Sequence, residues 1–170
     1  MVVSSAEHGT LTPMRYAIMD TPVGPLTLAS SEKGLCLVHF GRAIPNGATV
    51  DVEANRVFIT QLEQYFKGER RHFDFQLDFD ANGTQFQVAV WRALLNIPYG
   101  QTCSYGDIAK AVGKPGAARA VGMANHENPI AIVVPCHRVV GQNGSLTGYA
   151  GGLHLKQKLL SIERGRTLFT

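Results

Sequence analysis

The residues best equipped for chemistry stand together at Cys136-His137-Arg138, inside the apolar run from Ile132 to Val140. A cysteine thiolate is a strong nucleophile, and a neighbouring base lowers its effective pKa. The tripeptide therefore offers a nucleophilic sulfur with a base beside it. The run reads as a buried strand, anchored by Val133 and Val134, that breaks at Pro135 and presents Cys136 at the edge of a pocket. Proline fixes its own φ and has no N–H to give to a ladder. Adjacent residues of an extended chain point to opposite sides, so a local kink is required before His137 reaches the sulfur, directly or through water. A free cysteine is also often no more than a small buried hydrophobe, and the tripeptide alone leaves that alternative open.

The elements flanking this run must position it. Upstream, Thr84-Gln85-Phe86-Gln87 fits a capping box, with Phe86, Val90, Leu94 and Ile97 following at helical spacing. Ser104-Tyr105-Gly106-Asp107 is a second box, opening a short helix that Gly113 closes. Pro115 suits the first turn of another helix, which ends at Asn128-Pro129 because the residue before proline avoids the α region. This is a helix-turn-helix layout. In its second helix Ala117, Ala120, Val121 and Ala124 form an inward stripe, with Arg119, Gly122, Met123 and His126 opposite. That outer face lacks the long polar side chains of a major-groove reader. A small-faced helix can instead approach a duplex closely, as a minor-groove or shape reader does. Downstream, Thr147 to Gly152 is a glycine-rich loop carrying Tyr149, without a phosphate-loop pattern. Leu153 to Glu163 reads as a final helix with Leu155, Leu159 and Ile162 inward and Glu163 on the face of Lys156 and Leu160; spacing alone makes Glu163 an ordinary surface carboxylate.

The first 80 residues read differently. Residues 1–13 are small and polar, a loose tail. Arg15–Met19, Leu26–Ala29 and Leu35–Phe40 are three short strands separated by turns, an antiparallel meander. Cys36 lies in the third and reads as structural. Residues 41–49 form a loop, and residues 50–66 a helix with Val57, Leu62, Tyr65 and Phe66 on its apolar face. Phe73, Phe75, Leu77 and Phe79 alternate with polar residues, the period of a strand. Nothing in this half looks catalytic.

Hydrophobic residues make up 45% of the chain, enough for a packed core, and no apolar run reaches the roughly 18 residues of a membrane span. Three widely spaced cysteines suit a reducing compartment, and no cluster has zinc-ligand spacing. Charge is divided: residues 1–80 carry 7 Lys/Arg and 10 Asp/Glu, residues 81–170 carry 9 and 3. Only the C-terminal half is suited to a polyanion.

Pro135-Cys136-His137-Arg138-Val139, preceded by Asn128-Pro129-Ile130 and followed by Gly148-Tyr149-Ala150-Gly151-Gly152, resembles the O6-alkylguanine-DNA alkyltransferase family, the methylated-DNA–protein-cysteine methyltransferases. Ile97-Pro98-Tyr99-Gly100, Ser104-Tyr105-Gly106 and Ala117-Ala118-Arg119-Ala120-Val121-Gly122 belong to the same match, which covers about Thr84 to Glu163. Thr21-Pro22-Val23-Gly24-Pro25-Leu26 and Tyr65-Phe66-Lys67-Gly68 are its pieces in the first half. The resemblance implies an α+β protein of two domains. Residues 1–81 would form a small antiparallel sheet with a helix, of ribonuclease H-like type, and residues 82–170 a helical domain with the helix-turn-helix.

It implies direct repair of O6-alkylguanine, and possible action on O4-alkylthymine, by one irreversible alkyl transfer to Cys136 after base flipping. His137, linked through water to Glu163, would take the thiol proton. Tyr105 would bond N3 of the flipped base and supply a proton. Arg119 would enter the base stack, with Ala120 and Gly122 along the DNA. Carbonyls at Cys136 and Val139 would meet the exocyclic amine, Tyr149 would pack beside the base, and the Ala150 amide would donate to O6. Asn128 would brace the turn before the active-site strand. No cofactor or metal is implied. The partner would be double-stranded DNA, met through the minor groove by a monomer that binds no membrane. The likeness is closer to bacterial members, hence a cytoplasmic, nucleoid-associated protein. Two departures stand out: Glu127, a carboxylate near phosphates unless it points away, and Ala150, a serine in some members. A protein that only binds alkylated DNA is the main alternative; a helix-turn-helix regulator and a cysteine hydrolase are others.

Overall fold

The computed structural model describes residues 13–80 and 83–165. The tail expected over residues 1–13 lies outside them except for Pro13, and so do both residues at the expected domain boundary, Ala81 and Asn82. Strands β1 (Arg15–Met19), β2 (Leu26–Ser31) and β3 (Gly34–Phe40) form the expected antiparallel meander. A two-residue strand, β4 (Thr49–Val50), pairs parallel with β1, so the sheet is mixed, in the order β3-β2-β1-β4. The reading of residues 41–49 as loop missed this because two residues give no periodicity.

Helix α1 (Arg56–Phe66) starts later than expected and turns Phe58, Ile59, Leu62 and Tyr65 inward, while Val57 faces solvent. Residues 73–77 do alternate inward and outward, but Asp78, expected outside, is buried beside Phe79, and the segment forms no strand. Backbone bonds from Leu35 N to Gln76 O (3.0 Å) and from Asp78 N to Leu35 O (2.8 Å) are their tie to β3. The approach is close enough that Gly34, at φ +144°, is the residue that permits it: a Cβ there would lie 2.3 Å from Gln76 O.

The second half is helical. Helices α2 (Gln85–Leu94) and α3 (Tyr105–Ala111) both carry the expected capping boxes, Thr84 with Gln87 and Ser104 with Asp107. Helix α4 (Ala118–His126) packs on both and completes the helix-turn-helix. Its inward stripe is Val121, Ala124 and Asn125; Ala120, expected inside, is exposed. Strand β5 (Cys103–Ser104) pairs parallel with β6 (Val139–Val140), and α5 (Leu153–Glu163) closes the domain over the bounds expected. No described helix is long and apolar enough to cross a membrane.

The two halves share one core, joined through the outer edge of β3. Val38 N donates to Pro129 O (3.0 Å) and Ala131 N to Val38 O (3.1 Å), so the segment leading to Cys136 is laid against the N-terminal sheet. Cys36 is buried in that sheet, its thiol on Ala29 O at 3.4 Å, and burial pushes it up to about 11.

Candidate active site

The segment before Cys136 is not the strand that its valines suggest. Val134 N reaches back to Ile130 O (3.0 Å), Val133 N to Ala131 O (2.8 Å) and Cys136 N to Val134 O (2.8 Å). Ile132 sits at φ 71°, a region β-branched residues avoid at a cost of about 1–3 kcal/mol. Residues Cys136–Arg138 then form one turn of 3-10 helix. The apolar side chains fill the core, so the run reads as a strand, yet the backbone is coiled. This coil supplies the kink that the sequence required.

Asn128 holds the coil. Its Oδ1 accepts from Ile130 N (3.0 Å), and its Nδ2 donates to Val134 O (2.9 Å) and to Cys136 Sγ (3.1 Å). Asn125, which sequence reasoning passed over, donates from Nδ2 to Cys136 O at 3.2 Å. Cys136 is buried, which pushes its thiol above the ordinary value; the Asn128 amide and the charge of Lys156 act against that rise. The sulfur borders a cavity of about 260 Å³ whose walls include His39 and Phe40 of β3, Asn125, Asn128, Tyr149 and Ala150. The Tyr149 hydroxyl is buried beside the sulfur without a well-formed hydrogen bond, and its ring meets Phe40 edge-on at 5.9 Å.

Behind the sulfur lies a buried polar cluster. His137 and Glu163, 26 residues apart, touch directly: Nε2 to Oε2 is 2.6 Å, not the water-mediated link expected. Arg138 donates from Nε to Oε1 (2.7 Å) and from Nη2 to Oε2 (3.2 Å), and its Nη1 caps Ile97 O (2.7 Å). Gly100 N–H reaches Oε1 at 3.3 Å from a residue at φ +78°. Tyr65 of α1 donates its hydroxyl to Oε2 at 2.6 Å.

Glu163, read from spacing as a surface carboxylate, is thus buried with five donors. Burial alone would raise its pKa, but the hydrogen bonds of His137 and Arg138 and the Arg138 charge hold it well below the usual carboxylate range. Burial keeps His137 neutral, its pKa below the ordinary value despite the carboxylate. With Glu163 ionised, Nε2 carries the proton. Nδ1 is then a free acceptor, buried and without a protein partner.

Lys156 is a further residue that sequence reasoning left unassigned. It is fully buried, donates to Thr147 O at 2.9 Å and lies over the Tyr105 ring at 6.0 Å. Burial lowers its pKa, and Cys136 opposes that. A charged face-mate was visible at i, i+7 from Glu163, but spacing does not say which of a helix's faces is covered.

Of the other expected site residues, Tyr105, Arg119 and Gly122 line a shallow groove beside the cavity, and His126 borders both. Tyr105 Oη accepts from Thr147 Oγ1 at 3.0 Å. Ala120 is exposed on α4 outside that groove. Val139 is buried in β6 and does not line the cavity. The Cys136 carbonyl, expected to meet a base, is already engaged by Asn125. Glu127 is exposed and accepts a hydrogen bond from Gln87 of α2, which ties its carboxylate down. No group of three or more His, Cys, Asp or Glu among the described residues could hold a metal.

Comparison with known proteins agrees across both halves. Residues 14–79 match the family model described as the 6-O-methylguanine DNA methyltransferase ribonuclease-like domain, and residues 85–165 the corresponding DNA binding domain. A methylated-DNA–protein-cysteine methyltransferase of Methanosarcina acetivorans is 51% identical over 155 residues, covering 88% of this chain and 98% of the relative. One of Mycobacterium bovis is 49% identical over 157 residues, covering 90% and 94%. Among solved structures, Mycobacterium tuberculosis OGT in complex with DNA superposes with a TM-score of 0.84 at 50% identity, covering 90% of this chain and 94% of that one.

Proposed function

The chain belongs to the 6-O-methylguanine DNA methyltransferase family, and from that premise we propose that it repairs O6-alkylguanine by moving the alkyl group onto Cys136. The observation that carries this reading is a single buried thiol at a cavity wall, held by Asn128 and backed by the His137–Glu163 pair. The domain division falls near residues 81 and 82, with the alkyl acceptor and the helix-turn-helix together in the second domain.

Double-stranded DNA lies along α4, the minor groove against its small outer face, with Ala120 and Gly122 permitting close approach. Arg119 enters the stack in place of the extruded nucleotide. Flipping costs a few kcal/mol, less for a weakly paired lesion. The base enters the cavity beside Tyr149, with the Ala150 amide directed at O6.

The Cys136 proton passes, through one water, to Nδ1 of His137, and Glu163 stabilises the imidazolium that forms. The sulfur attacks the alkyl carbon in line. The S–C bond forms as the C–O6 bond breaks, and the electron pair leaves on guanine. Tyr105, in the groove that shares His126 with the cavity, supplies the proton that guanine needs at N3. Asn128 donates to the developing thiolate, and the Lys156 charge favours it. The product is a thioether that neither water nor thiols reverse, so each molecule reacts once. The protein acts as a monomer, without cofactor, in the cytoplasm where the DNA is.

The test is intact mass after mixing the reduced protein with a duplex containing one O6-methylguanine, followed by peptide mapping. One methyl group on Cys136, with product equal to protein, is expected. Tight binding with no change in mass would instead support a protein that only recognises alkylated DNA.

A further inference from the structure

Among the described residues, Tyr65 is the one side chain of the N-terminal half that hydrogen-bonds to the polar cluster, and it does so across 98 residues of sequence. Its ring is fully buried. It packs on Phe66, Phe73 and Tyr99 at centroid distances of 5.3, 5.8 and 6.2 Å. A phenylalanine would fill that site equally well. What phenylalanine lacks is the hydroxyl, whose partner is Glu163 Oε2 at 2.6 Å, the same oxygen that His137 Nε2 meets at 2.6 Å. Tyr65 and His137 therefore share one acceptor.

We propose that Tyr65 is a positioning residue for alkyl transfer, supplied by the N-terminal domain, whose hydroxyl fixes Glu163 Oε2 against His137 and draws off part of the charge that stabilises the His137 imidazolium. The inference rests on the proton-relay reading given above. The physical basis is that a donor to a carboxylate lowers its basicity, and a less basic carboxylate stabilises a neighbouring cation less. The remaining groups around the pair are accounted for. Arg138 and Gly100 donate to the carboxylate, Tyr99 stands against Tyr65 with the Arg71 and Arg138 guanidinium groups over its ring, and the Lys156 charge disfavours the His137 imidazolium. The Tyr65 phenol itself is held protonated by burial and by Glu163, so it acts as a donor throughout. The N-terminal domain would thereby set the strength of the base and the pose of the segment along β3.

The experiment is the single-turnover rate of methyl transfer from an O6-methylguanine duplex, measured by intact mass across pH on the full chain. Tyr65→Phe is expected to move the midpoint of the pH–rate curve upward by on the order of half a pH unit, because Glu163 keeps more charge for His137 and the imidazolium, which cannot accept the thiol proton, persists to higher pH. Placing 3-fluorotyrosine at position 65, a stronger donor of nearly the same shape, moves it downward. Glu163→Gln moves it downward as well, by about one unit or more. If Tyr65→Phe changes the rate without moving the midpoint, or moves it downward, Tyr65 is only packing and the inference fails. If Tyr65→Phe does not fold, the fluorotyrosine protein decides alone, and an unmoved midpoint overturns the inference. An unchanged midpoint in Glu163→Gln instead removes the relay itself, a result distinct from either.

Discussion

The two sides of Cys136 are built on opposite terms. Behind the sulfur, His137, Arg138, Glu163 and Tyr65 are buried, and each of the two carboxylate oxygens takes more than one donor. In front, Arg119, Met123 and His126 are exposed on α4, and Arg119 has no ion pair among the described residues. The buried side is paired, except at His137 Nδ1, because each further unpaired polar group there would cost several kcal/mol. The exposed side can leave its charges unpaired because water solvates them until a partner replaces it. A change behind the sulfur should therefore disturb stability and chemistry together. A change in front should disturb only what arrives from outside.

The first way to test that division is at the boundary itself. Cys136→Ser should abolish methyl transfer while leaving affinity for an O6-methylguanine duplex intact, read by mass and by a gel-shift titration. Next, Glu163→Gln leaves Arg138 buried without its counter-charge. It should cost about 3–5 kcal/mol of stability and slow transfer to duplex and to free O6-methylguanine alike, by on the order of a hundredfold. The pH dependence has a defined sign. The folded pKa of Glu163 is depressed, so its contribution is fully present above its unfolded value near 4.5 and is lost as pH falls through the lower folded value. Urea midpoints of the wild type and the variant should accordingly converge in acid.

In front of the sulfur, Arg119→Ala should slow repair in duplex DNA by about tenfold to a hundredfold, the scale of part of the flipping cost. Its reaction with the free base and its urea midpoint should stay unchanged; equal slowing of both substrates would break the comparison. The smallest effect belongs to Glu127→Gln. Gln87 already restrains that carboxylate, and the site is exposed and screened, so DNA affinity should rise by only about twofold at physiological salt.

Much of the scaffold was legible because it is local. Strand β1, both capping boxes and the bounds of α5 follow from periodicity and cap chemistry within a few residues. Even residues 73–77 show the inward and outward alternation that their sequence encodes, although too few backbone groups meet β3 to make a strand. The tripeptide Cys136-His137-Arg138 likewise declared its chemistry, and the surrounding motifs declared a family. What stayed hidden was every contact fixed by distant packing. Hydrophobic spacing reports that a side chain is inside, not what it meets there. Ile132 to Val134 therefore suggested a strand where the chain coils around the Asn128 amide. Glu163 looked like a solvent-facing charge on an amphipathic helix, and Tyr65 looked like one more apolar position on α1. The sequence by itself determined which groups can give, take or carry a proton, because that is a property of side-chain types. The tertiary structure decided which of them share an oxygen, because three segments far apart in the chain must pack together before Glu163 has His137, Arg138 and Tyr65 around it.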